Sequence, residues 1–242
     1  MVEAEKKPAA YAALSTGINA VLVSDAAITK RRNRELADAH VAYTKDWGPV
    51  LFGCLMSTFS TPTDFNRMMR SVSSLPWRVG SCLHDDSPLN EAASTDRSRG
   101  VGLLKMIYVK GVYLQHVSAA DQIYARDECI TPSTMLQQLL EQYVEDMSGQ
   151  AAVAFGSVGK GYLGWIGDVN SQEELDPVYL ALLGLPVVED PVNSWQLRRA
   201  LDGLKTHSLG SDFHFESVDT NCIQDCRLVC CSSPFLKHAS NF

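Results

Sequence analysis

The chain has no apolar run of the roughly 18 residues that a bilayer-spanning helix needs. Positive charge is also short: 21 Lys and Arg stand against 28 Asp and Glu, a formal net charge of -7. General binding to nucleic acid or to an anionic membrane needs a basic surface, so neither partner is expected. The opening stretch MVEAEKKPAA is charged and carries no apolar h-region, so a secretory signal is not expected and a cytoplasmic location is. Internal repeats are absent. Gly159-Lys160-Gly161 has a phosphate-loop flavour but lacks the GxxxxGK[ST] pattern, and a second apolar run follows it rather than a helix. No cofactor signature is found, and no cofactor is expected. The cysteines are seven, an odd number, which fits a reducing compartment better than a disulfide framework.

What is present is ordinary globular composition, 45% hydrophobic and 20% charged, enough for one sizeable core. The expected division is a lead over 1–16, an α/β domain over 17–207 and a cysteine-rich tail over 208–242. Ile18 to Val23 is a compact apolar run rich in β-branched residues, which predicts a buried strand. KRRNRELADAHVAYTKD follows, with Leu36, Ala39, His40 and Tyr43 at helical spacing and Lys30 to Arg34 turned to solvent. Trp47-Gly48-Pro49 stops that helix, and Val50 to Cys54 predicts a second strand. Strand, helix and strand in about forty residues form a βαβ unit, hence a parallel pair.

Thr61-Pro62-Thr63-Asp64 starts a helix over DFNRMMRSV. Residues 84–100 are polar and turn-rich and read as a surface loop. Lys105 to Val109 predicts a third strand. Pro132, Ser133 and Thr134 open a helix over MLQQLLEQYVEDM. AAVAFGSV and YLGWIGDV flank Gly159-Lys160-Gly161 as a β-hairpin. Pro177 to Leu185 is a short helix, and Trp195 to Leu204 a more polar one.

Five sets of residues could carry chemistry. Cys54 ends a strand in Phe52-Gly53-Cys54-Leu55-Met56. A nucleophile on a strand-to-helix turn stands above the sheet beside backbone N–H groups that can stabilise an oxyanion. Such a bend prefers small neighbours: Gly53 fits, Leu55 and Met56 do not, and the plainer reading is a buried structural cysteine. His214-Phe215-Glu216 could supply a general base and its orienter, making a Cys54-His214-Glu216 triad, or be only a polar stretch. Asp168 and Asn170, in Gly167-Asp168-Val169-Asn170, stand at the carboxyl end of a buried strand, the edge where α/β folds place their sites. They could bind a ligand or simply cap the turn. Ser24 and Asp25 end the first strand in the same way. Cys222, Cys226, Cys230 and Cys231, with His214 or His238 nearby, lack the spacing of a zinc ribbon or finger, so no metal is expected.

The run from INAVLVSDAAIT through YTKDWGPVLFGC resembles the core of the class I glutamine amidotransferase-like superfamily, in particular its ThuA-like branch. AVAFGSVGKGYLGWIGDVN is similar to the late hairpin of that branch. VLVSDAAIT, FSTPTDFNRMMR, LPWRVG and GYLGWIGDVN resemble segments of a group of filamentous-fungal proteins. The resemblance spans roughly residues 15 to 185. It implies a flavodoxin-like three-layer sandwich with a mostly parallel central sheet and a late β-hairpin, and it puts Cys54 at the amidotransferase elbow. That elbow carries a glycine two residues after its cysteine, where this chain has Met56. The ThuA-like site histidine falls near Asp168. The implied function is a divergent or non-catalytic domain that binds a small molecule or protein partner. The alternatives are a thiol-dependent amidase or hydrolase using Cys54, His214 and Glu216, and an accessory protein of a fungal secondary-metabolite pathway.

Overall fold

The computed structural model describes residues 2–3, 6–46, 48–94, 103–126, 149–170, 172–185 and 228–231. The helices expected over 135–147 and 195–204 lie outside these residues, as do His214, Glu216, Cys222, Cys226 and His238.

The strands are β1 (Val2–Glu3), β2 (Ala20–Val23), β3 (Val50–Phe52), β4 (Arg78–Pro88), β5 (Met106–Gln115), β6 (Gln122–Ala125), β7 (Ala151–Val158), β8 (Gly161–Ile166) and β9 (Leu228–Cys231). They form one mixed sheet in the order β1-β9-β2-β3-β8-β7-β5-β4, with β6 also paired to β7. From β1 to β8 the neighbours are parallel; from β8 to β4 they are antiparallel. The helices are α1 (Lys7–Leu14), α2 (Arg34–Asp46), α3 (Leu55–Phe59), α4 (Pro62–Val72), α5 (Glu91–Ser94) and α6 (Asp176–Leu182).

The expected βαβ unit is present as β2, α2 and β3, with Val21 opposite Val50 and Val23 opposite Phe52. Every residue of β2 and β3 is buried. A parallel pair covered on both faces reads as a continuous apolar run, which is why AVLV and VLF show no alternation. Val21, Val23, Val50 and Phe52 enter one core layer, with Leu36, Ala37 and Val41 of α2 and Phe65, Met68 and Met69 of α4. Ala20, Leu22 and Leu51 enter the other, with Val178, Tyr179 and Leu182 of α6. Helices therefore cover both faces of the sheet.

Residues 84–88 are not loop: they complete β4, which pairs with β5 from Arg78 opposite Gln115 to Pro88 opposite Met106. β5 alternates exposed and buried along Met106 to Gly111, with Tyr108 57% exposed. A strand with one face in solvent keeps polar residues there, so HDDSP satisfies strand geometry while reading as a turn. Lys30 to Arg34 also depart from the expected helix. Only Arg34 is α-helical; a 3-10 turn over Ala26–Thr29 and another over Arg31–Asn33 precede it.

The expected hairpin is β7 and β8, closed by Gly159 and Lys160. Gly159 has φ +65° and Lys160 does not, the signature of a turn with glycine at its first central position. The tip seats on the end of α2, where the Lys160 N–H donates to the Lys45 carbonyl at 2.8 Å. A Cβ on Gly161 would stand 2.4 Å from the Thr44 carbonyl oxygen, so this contact admits only glycine.

His40 shows the same helix–sheet packing at its most buried. It is 0% exposed on α2, with Nδ1 2.7 Å from the Leu36 carbonyl, which requires Nδ1–H as the donor. Burial holds its imidazole below the usual 6.5. The unfolded chain therefore takes up a proton near pH 6.5 that the folded chain refuses. Stability is full above that pH and falls below it, by up to about 1.4 kcal/mol per pH unit. Urea unfolding between pH 8 and pH 5 should show this decline, and His40→Gln should flatten it; an equal slope in both proteins would contradict it.

Candidate functional site

Three adjacent parallel strands, β2, β3 and β8, end at one edge of the sheet. Ser24 and Asp25 follow β2, Cys54 follows β3, and Asp168 and Asn170 follow β8. The fold thus brings five of the sequence-predicted residues to one edge. Ser24 is buried, and the Asp25 carboxylate accepts the Ala27 N–H at 2.7 Å, capping the first 3-10 turn. Asp168 is buried, and its two oxygens accept the N–H groups of Asn170 at 2.8 Å and Gln172 at 2.7 Å. Its carboxylate closes the turn after β8, the local use that short acidic side chains serve in turns.

Cys54 has φ 55° and ψ -129°. A residue with a Cβ pays roughly 1–3 kcal/mol to stay in such a conformation, and surrounding contacts must hold it there. Three sets of contacts do so. The Cys54 N–H donates to the Tyr179 hydroxyl at 2.8 Å. The Ser57 hydroxyl lies 2.7 Å from the Cys54 carbonyl and also reaches the Asp168 carbonyl. One residue earlier, the Gly53 N–H donates to the Val23 carbonyl at 3.2 Å. At a net of roughly 0.5–1.5 kcal/mol each, one bond matches at most the lower end of that strain, whereas the set offsets it. α6, α3 and β2 together hold the elbow.

Tyr179 was not apparent from sequence. It lies within the apolar run PVYLALL, where only its hydroxyl breaks the pattern, and a buried tyrosine hydroxyl needs a partner. Its partner is the elbow: the hydroxyl accepts the Cys54 N–H at 2.8 Å. Burial, then the neighbouring Cys54, pushes its phenol well above 10, so it stays neutral while it accepts the Cys54 N–H. Gly53 is explained by the same side chain, since a Cβ there would stand 2.7 Å from the Tyr179 ring and hydroxyl. Cys54 is 4% exposed and Tyr179 3%. Met56, two residues after the cysteine, is completely buried.

The three described histidines stand elsewhere. His40 is on α2, His84 packs tilted against Tyr108 with ring centres 4.4 Å apart between β4 and β5, and His116 follows β5 at φ 60°. Among the described residues no group of three or more His, Cys, Asp or Glu could hold a metal ion, and no helix is long and apolar enough to cross a membrane.

The strain gives an inverted glycine effect. At most positions glycine is less stable than alanine by roughly 0.5–1 kcal/mol. Cys54→Ala and Cys54→Gly both remove the sulfur, but only glycine releases the backbone. Cys54→Gly should therefore be the more stable of the two by about 1 kcal/mol in denaturant unfolding. Alanine more stable than glycine would show that the elbow is unstrained.

No family model, no curated protein and no solved structure matches this chain, so the reading of the elbow rests on its own residues.

Proposed function

We propose that this chain is a divergent class I glutamine amidotransferase-like domain of the ThuA-like kind, with a flavodoxin-like sheet. It holds a small molecule or protein partner at the edge formed by β2, β3 and β8, without turning it over. The observation that carries this reading is Tyr179. Its hydroxyl takes the Cys54 N–H, and Cys54 is only 4% exposed beneath it, so the elbow is already filled from within. Catalysis at such an elbow needs an accessible thiolate and donors free for an oxyanion. Asp168 also supports the reading, because its carboxylate is spent on the turn after β8.

One observation favours the alternative, a thiol amidase or hydrolase in which Cys54 attacks, His214 accepts its proton and Glu216 orients the histidine. A cysteine serving only to fill space has no need of a strained backbone, and strain of this kind clusters at active sites.

An electrophilic glutamine analogue separates the two. After incubation with diazo-oxo-norleucine, intact mass and peptide mapping should find Cys54 unmodified. A stoichiometric adduct on Cys54, lost in His214→Ala, would overturn the binding reading in favour of the hydrolase.

A further inference from the structure

On the face of the sheet opposite Tyr179 there is a cleft of about 460 Å³ between the Ile28–Arg34 stretch and α4. Four cations line it: Lys30, Arg31, Arg34 and Arg67. No carboxylate is among the residues that line it, in a chain whose formal net charge is -7. Its remaining wall is largely apolar, with Ile28, Ala37, Met68 and Val72.

The cations differ in how they are held. Asp64 bonds both Lys30, at 2.7 Å, and Arg67. The Arg67 guanidinium also donates to the Thr29 carbonyl at 3.1 Å, which fixes its plane. One carboxylate across two cations leaves a surplus of one positive charge in that trio. Arg31 has no ion pair among the described residues, and Arg34 meets Asp38 only at 3.7 Å across exposed surface. The charges at the mouth are thus available, while those further in are pre-oriented.

We propose that this cleft binds a small organic anion with an apolar body, its carboxylate or phosphate head held by the four cations. The volume falls within the roughly 300–1,000 Å³ range of small-molecule sites. Guanidinium groups pair with either head. The apolar wall supplies the area that a bare inorganic ion could not use.

Isothermal titration calorimetry on the full chain at low ionic strength tests this, using octyl phosphate, octanoate, octanol and inorganic phosphate. One or both amphiphilic anions should bind saturably at one site, about tenfold or more tighter than octanol and than inorganic phosphate. Tighter octyl phosphate would identify a phosphate head, and tighter octanoate a carboxylate; either supports the site. Arg31→Gln with Arg34→Gln, both exposed and outside the core, should weaken that binding about tenfold. Arg32→Gln, an exposed neighbour that does not line the cleft, should leave it unchanged. The proposal is overturned if neither anion binds or octanol binds as well as they do. It is equally overturned if the double variant matches the wild type or Arg32→Gln weakens binding as much as the double variant.

Discussion

The hydrogen bond from the Cys54 N–H to the Tyr179 hydroxyl joins two parts of the chain that lie 125 residues apart. Much of the local architecture depends on it. Gly53 must be glycine because the Tyr179 ring approaches so closely. α6 must pack over β2 and β3 to deliver that ring, which Val178 and Leu182 accomplish from the same helix. Cys54 can keep a positive φ only while its amide, its carbonyl and the preceding amide all have partners. The elbow is therefore a tertiary feature, although its residues are contiguous in sequence.

The sheet separates two different environments. On the α6 side, Tyr179 fills the space above a strained cysteine and leaves it little contact with solvent. On the α2 and α4 side, four cations surround a cleft with an apolar wall. The segment after β2 links the two. It begins at Ser24 and Asp25 on the elbow edge, turns under the Asp25 cap, and ends by lining the cleft with Ile28, Thr29 and Lys30. A short polar cap thus sets the direction of a segment that serves both sides.

Much of the core was legible from residue pattern. The apolar runs at Ile18–Val23 and Val50–Cys54 correspond to β2 and β3, slightly trimmed where the chain leaves the ladder at Gly53. The glycine-flanked hairpin corresponds to β7 and β8, and Thr61 caps α4 as its TPTD stretch predicts, its hydroxyl accepting the Asp64 N–H at 3.2 Å. Features that depend on long-range packing were not legible. HDDSP read as a loop because an edge strand exposes one face and needs no apolar alternation there. Lys30 to Arg34 read as a solvated helix face, since nothing local shows that α4 will bring Arg67 and Asp64 alongside. Tyr179 was hidden because one hydroxyl in an apolar helix gives no sign of what it will meet. His214 and Glu216, the other members of the expected triad, lie outside the described residues.

Whether Tyr179 holds the elbow is read most directly from amide hydrogen exchange at Cys54. In the wild-type protein the Cys54 amide should exchange as slowly as the ladder amides of β2 and β3. Tyr179→Phe keeps the ring but removes the acceptor, so Cys54 exchange should rise at least about tenfold while those ladder amides stay protected. Unchanged exchange at Cys54 in Tyr179→Phe would show that the Tyr179 hydroxyl does not hold the elbow.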